Sequence, residues 1–187
     1  MTVSETAAEA ATGLLLTGAG CQADLTDWIS TATGRLAALG GWPLRPLSLD
    51  LPPPQALAEL GGGRSTRLPP AWLAALPHDP GLPLQDGGSW AEALGAWRQP
   101  TALLLDGDQL ATGIPAAFTA LLRHWQVPLL GLIQWGGRWD PEARRRDGLP
   151  WLGALALSAD LAGAEVGVDD ADLLACVGRR WSLLDPG

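Results

Sequence analysis

The sequence predicts an α/β domain of three layers: a mostly parallel sheet with helices on both faces. Two observations carry this. The apolar runs Gly13–Thr17, Thr101–Leu105, Pro128–Gln134 and Leu149–Leu157 are short and continuous rather than alternating, the pattern of strands buried on both faces. Helical segments separate them, so strand and helix alternate along the chain. At 187 residues the chain suits one domain with one sizeable core. We expect a tail over 1–12 and a single domain over 13–187.

The first strand, Gly13 to Thr17, leads into a Gly-Ala-Gly turn. Asp24 is expected to open a helix, with Asp27 three residues on as an acidic variant of a capping box. Leu25, Ile29, Ala32, Leu36 and Leu39 mark its apolar face, and Gly40-Gly41 stops it. Leu44 to Leu49 is a second strand candidate, interrupted by Pro46. From 51 to 88 Pro and Gly dominate, which predicts an irregular segment of the kind that forms binding loops. Within it, short helices are expected around Gln55–Leu60 and Pro70–Leu76, and a weak strand at Leu82–Asp86. Ser89 caps a short helix through Trp97, and the strand from Thr101 ends at Asp106. Pro115 starts a helix that runs to Trp125, since its missing N–H costs nothing in a first turn. After the strand to Gln134, Asp140-Pro141-Glu142 begins a helix ending at Gly148, and Asp169 caps a last helix through Trp181.

Composition narrows the function. Hydrophobic residues make up 47% of the chain and charged ones 17%, with 10 Trp, one Phe, and no Tyr, Lys or Asn. The net charge is −8, and the positive charge, all on Arg, clusters only at Arg144–Arg146 and Arg179-Arg180. A nucleic-acid partner needs a basic face that releases counterions, and this balance excludes one. Asp140, Glu142 and Asp147 flank the triple Arg, which reads as a solvated helix face. Cys21 and Cys176 stand alone, as small hydrophobes do, and His78 and His124 lack metal-ligand spacing, so no metal site is expected. There is no secretory signal at Met1–Thr12 and no apolar run of spanning length, so a cytoplasmic protein with no membrane partner is expected.

In folds of this class ligands bind beyond the carboxyl ends of strands, which directs attention to Gly18-Ala19-Gly20-Cys21-Gln22-Ala23-Asp24-Leu25-Thr26. Gly18, Gly20 and Ala23 fit the dinucleotide pattern G-x-G-x-x-A, with Asp50 as the acid that would hold a ribose hydroxyl. Asp50 lies far along the chain for that role, and Asp24 sets a negative charge where the pyrophosphate would sit.

The second half points elsewhere. Leu104 to Gly136 reads LLDGDQLATGIPAAFTALLRHWQVPLLGLIQWG, and Gly148 to Leu155 reads GLPWLGAL. These resemble, without a gap in the longer one, the segments of the dethiobiotin synthetase family that read V-A-R-S-G-L-G-T-L-N-H-T-L-L-S-L-E-A-L, then x-x-x-x-I-P-V-L-G-L-I-L-N-G, and finally G-x-P-V-L-G-x-L-P. Leu44-Arg45-Pro46-Leu47 is similar to that family's L-K-P-V. The resemblance covers about Leu14 to Leu157 and implies a P-loop NTPase-like fold, a homodimer, and ATP- and Mg-dependent ligase chemistry in biotin biosynthesis.

The departures from that pattern bear on function. The family's loop reads G-T-D-T-x-V-G-K-T. Over it only Gly18 and Thr26 are kept, with Leu25 in place of the phosphate-gripping lysine and Asp24 in place of a glycine. Arg45 stands for the second lysine, and Trp135 for the strand-end Asn that reads adenine. Gln85-Asp86-Gly87-Gly88 is the candidate for the metal-binding E-x-A-G-G, which leaves Asp86 as its acid. Catalysis in this family is positioning and charge neutralisation by loop, lysine and magnesium. The expected protein is therefore a non-catalytic relative with a degenerate nucleotide loop, without a cofactor, binding a protein partner or a small anion. The alternatives are a divergent dethiobiotin synthetase that handles ATP and Mg through Arg45, Asp86 and Thr26, and a Rossmann-type NAD(P)-binding protein.

Three further patterns receive plainer accounts. Gly61–Leu68 mimics a nucleotidyltransferase loop but follows a helical stretch and lacks a lysine, so a surface loop is expected, one whose Arg64 and Arg67 suit an anion. Asp106-Gly107-Asp108 reads as a turn with solvated acids, and Trp125, Trp135 and Trp139 as a candidate aromatic patch.

Overall fold

A computed structural model describes residues 13–20, 22–61, 71–156 and 168–184, with the backbone alone at 22–24, 168 and 169. Five strands form one all-parallel sheet: β1 (Gly13–Gly18), β2 (Trp72–Leu76), β3 (Thr101–Asp106), β4 (Leu129–Trp135) and β5 (Trp151–Leu155). Their order is β2-β1-β3-β4-β5. Every residue of β1 and β5 is buried, as the continuous apolar runs require.

Helices cover both faces, as the sequence predicts. On one face α1 (Gln22–Gly40) and α6 (Val168–Leu184) set Leu25, Ile29, Leu36, Leu173 and Val177 against Leu14, Leu16, Leu104 and Ile133 of the sheet. The other face is covered by α2 (Pro53–Leu60), α3 (Trp90–Ala96) and α4 (Ile114–His124), whose Leu57, Leu94 and Leu122 meet Leu15, Leu103 and Leu132. A short α5 (Pro141–Arg146) packs beside β5. Ser89 caps α3 through the Glu92 N–H, and Asp140 caps α5 through the N–H groups of Glu142 and Ala143, both as expected. The Ala143 hydrogen bond, foremost, holds the Asp140 carboxyl below its ordinary range.

Several expectations are corrected. Pro70–Leu76 is not helical: Trp72–Leu76 is β2, and Pro70 lies outside the described residues. A short apolar run does not distinguish a buried strand from a buried helix turn, and here pairing with β1 decides it. Leu44–Leu49 is not a full strand. It contributes one rung, in which the Leu73 N–H donates to the Pro43 carbonyl and the Arg45 N–H to the Leu73 carbonyl. Pro46, with no N–H, cannot extend that ladder. Leu82–Asp86 likewise reduces to one bridge, Pro83 with Ser89, and a turn. The segment 51–88 is thus less irregular than its composition suggests, since it holds α2 and β2. α1 begins at Gln22, two residues before Asp24, and α6 at Val168, so neither Asp24 nor Asp169 is the cap.

Two packing features test this arrangement. The Cβ of an alanine at Gly95 in α3 would sit 1.8 Å from the Trp125 carbonyl oxygen, whereas one at Gly34 in α1 would meet nothing. Gly95→Ala should therefore cost about 1–3 kcal/mol or more in urea melts, while Gly34→Ala should gain about 0.5–1 kcal/mol. Arg35 of α1 pairs with Asp170 of α6 at 3.0 Å, both side chains 6% exposed. Asp170→Ala should cost about 3–5 kcal/mol, and a volume-matched Arg35→Met/Asp170→Leu pair should recover most of it.

Candidate functional site

The strand order reverses between β1 and β3, so the crevice at their carboxyl ends is where a doubly wound sheet offers a site. Gly18 ends β1 there. A Cβ on it would come 2.5 Å from Ile29 Cδ1, so glycine is needed because α1 lies close against the strand. Only Ala19, Gly20 and Cys21 separate β1 from α1, and Cys21 is outside the described residues. A loop that cradles phosphate needs a run of free backbone N–H groups before its helix, and three residues leave little such backbone.

Two neighbours hold this short loop. On the β2 side, the Gly20 N–H donates to Asp79 Oδ2 at 3.0 Å, with Gly20 at φ +135°. The same carboxylate takes the Gly81 N–H on Oδ1 at 2.8 Å, and Asp79 is only 9% exposed. Beside it the Thr17 hydroxyl donates to the His78 carbonyl at 2.8 Å. On the β3 side, Gln109 Nε2 donates to the Ala19 carbonyl, and Gln109 Oε1 accepts the Asp106 N–H at 3.1 Å. Gln109 ends a single 3₁₀ turn, Gly107–Gln109, that the Asp106 carboxylate caps. Asp106 and Asp108 are exposed, as a solvated acidic turn requires.

The electrostatic consequence is direct. The Gly20 N–H is already taken by the protein's own carboxylate. An anion approaching that N–H would meet the negative charge of Asp79. The position aligned with the phosphate-gripping lysine, Leu25, is 1% exposed and packs in the α1–α6 core. Thr26 sits in the second turn of α1, exposed, with its carbonyl accepting from the Ser30 hydroxyl.

The remaining candidates lie elsewhere. Arg45 is on the outer edge of the sheet, with β2 between it and β1. Its guanidinium stacks 5.1 Å from the Trp72 ring centroid and donates to the Leu60 carbonyl at the end of α2, at 2.9 Å. Asp86 is exposed on the turn after Leu84, in a groove it shares with Asp50. The structure therefore keeps Gly18 and Thr26 near the loop and brings neither Arg45 nor Asp86 to it. Trp135 is buried in the core, and neighbouring Gln134, also buried, donates to the Gly136 carbonyl at 2.7 Å. Trp125, Trp135 and Trp139 form no common exposed patch: Trp125 packs on His124 and Trp139 on Trp151. Arg144 stacks on Trp151 and pairs with Asp147, so the triple Arg is only partly a solvated face. Arg64 and Arg67 lie outside the described residues.

Sequence reasoning missed Asp79 and Gln109. The signal for Asp79 was present, since Pro-His-Asp follows directly on Trp72–Leu76 and a strand there would end beside β1. Gln109 carried no signal.

Among the described residues no group of three or more His, Cys, Asp or Glu side chains is placed to hold a metal ion, and no helix is long and apolar enough to cross a membrane. No protein-family model matches the chain, and no curated protein does.

Three outcomes follow from this geometry. Asp79→Ala should lose about 1–3 kcal/mol in urea melts, because two backbone N–H groups lose a charged acceptor. Leu25→Lys, which restores the missing amine, should lose about 3–5 kcal/mol, because that position is core. Burial lowers the pKa of the His78 imidazole below its ordinary 6.5, so the folded state favours the neutral ring and the unfolded chain binds more protons. Stability is then complete above about pH 6.5 and declines as pH falls below it, a slope that His78→Gln should flatten in melts between about pH 7.5 and about pH 5.5.

Proposed function

We propose that this chain is a P-loop-type α/β protein, related to dethiobiotin synthetases, that has given up nucleotide chemistry and acts by binding a partner or a small anion. The observation that carries it is the Gly20 N–H held by the buried Asp79 carboxylate. On this reading, the contact occupies a loop N–H that a phosphate-binding relative would keep free for its ligand. Leu25 in the core and the early start of α1 at Gln22 support the same conclusion, since neither can revert by a side-chain rotation. Loss of amide and lysine contacts of this kind removes several kcal/mol of transition-state stabilisation, on the order of hundreds- to thousands-fold in rate.

A divergent synthetase working through Arg45, Asp86 and Thr26 gains no support from their placement, because the three do not converge. The dinucleotide alternative fares similarly. In the classical order the extended segment after the first helix lies beside β1 and delivers its acid to the glycine loop. Here that segment pairs on the far side of β2, and Asp50 lines a separate groove.

Thermal shift and intrinsic tryptophan fluorescence, titrated with Mg-ATP, ADP and NAD(P), test the proposal. A flat response to all of them is expected. Saturable stabilisation by Mg-ATP that Thr26→Ala abolishes would overturn it, as would ATP turnover by the purified chain at an ordinary enzymatic rate. Sedimentation velocity separates a monomer from the homodimer that the resemblance implies.

A further inference from the structure

On the α2–α3 side of the domain, away from the strand-end loop, the chain forms a groove whose lining includes Asp50 and Asp86. We propose that this groove, between Leu51–Pro54 and the exposed end of α3, binds a small organic cation: an ammonium or guanidinium group carried on an apolar body. The proposal stands independently of what the β1 loop does.

The cavity holds about 720 Å³, within the range of small-molecule sites. Its apolar lining comes from Leu51 and the prolines at 52–54, from Leu84, and from Ala93, Ala96 and Trp97 on and beside α3. Leu51 and Leu84 are half-buried and packed onto the core, so the apolar floor is anchored. Trp97, at the C-cap of α3, is 46% exposed, which leaves a large indole face open to the groove or its rim.

The charged groups lining it are all of one sign: Asp50, Asp86 and Glu92, with no Arg or His among the lining residues. None of the three is ion-paired among the described residues. An apolar body alone would leave these carboxylates unused, and an anion would be repelled by them. A cation on an apolar body satisfies both parts of the lining, and an open indole adds cation–π attraction. The overall charge of −8 draws the same kind of ligand from solution.

The groove is built before any ligand arrives. Proline fixes the backbone over 52–54. The turn carrying Asp86 is closed by the Gly87 N–H on the Leu84 carbonyl and the Leu84 N–H on the Gly88 carbonyl. Gly87 and Gly88 take φ +88° and +74°, conformations that a side chain would strain, and a Cβ on Gly88 would come 3.0 Å from Glu92 Oε2. Glu92 therefore lies against the turn in the first turn of α3, where the Ser89 cap fixes its backbone N–H at 3.2 Å. Glu92 and the turn that carries Asp86 thus line the same groove.

Calorimetry and ligand-observed NMR on the full chain, with phenethylammonium, phenylguanidinium, 2-phenylethanol and phenylacetate as probes, test this. Saturable binding of the two cations is expected, about tenfold or more tighter than the alcohol, with no binding of the carboxylate. The affinity should fall as salt is raised. Asp86→Asn/Glu92→Gln should weaken cation binding about tenfold or more while leaving alcohol binding and the melting temperature unchanged. Trp97→Ala should weaken the cations and the alcohol alike. Binding of the alcohol as tightly as the cations would overturn the proposal, as would cation binding that survives Asp86→Asn/Glu92→Gln. Absence of cation binding up to about 10 mM would also overturn it. Capture of an arginine-rich peptide without either small cation would replace the small ligand with a macromolecular one.

Discussion

The hydrogen bond from the Gly20 N–H to the Asp79 carboxylate is the constraint on which the reading of this protein depends. It ties the end of β1 to the residues just beyond β2, and Gln109 ties the same short loop to the turn beyond β3. Three neighbouring strands are thereby joined at their carboxyl ends by side chains that donate to or accept from backbone. Both links are partly buried, and Asp79 itself is buried, so losing the Gly20 contact would leave that carboxylate short of a donor. The crevice that this class of sheet normally opens to a ligand is here closed on one side by the protein's own anion.

The rest of the architecture serves the sheet. A parallel sheet must be covered on both faces, and the chain does this with two apolar helix layers of unequal character, a pair on one face and three helices on the other. The α1–α6 face carries a buried ion pair between Arg35 and Asp170, with edge-to-face contact between Trp42 and Trp181 nearby in the same layer. The α2–α3–α4 face instead uses the close approach of Gly95 to the Trp125 carbonyl and the stacking of Arg45 on Trp72. Arg45 illustrates how a residue type suited to phosphate can be spent on packing: its fork holds the last carbonyl of α2, and its plane covers an indole.

Tryptophan does much of the work usually shared among aromatic types. Trp72 on β2 and Trp90 at the start of α3 are buried in one core, Trp151 is held by the Asp147 carboxylate and covered by Arg144, and Trp97 beside the acidic groove is left open. Each ring's role follows from what surrounds it rather than from its spacing. That is why Trp125, Trp135 and Trp139 do not make the common surface that their closeness in sequence suggests.

The sequence by itself determined the class of the fold. Continuous apolar runs at Leu14, Leu103 and Leu132 must be strands buried on both faces, and the periodic segments between them must be the covering helices. It also determined that every basic side chain other than the two histidines is an arginine, since the sequence contains no lysine. Only the tertiary structure decided that Trp72–Leu76 is a strand, because a five-residue apolar run takes its conformation from its partner, here β1. Only the tertiary structure, likewise, brought Asp79 to Gly20, since 59 residues separate them and local propensity carries no information over that distance. The separation of Arg45 from the loop has the same origin: β2 is inserted between the edge segment and β1, a matter of strand order that no local pattern encodes.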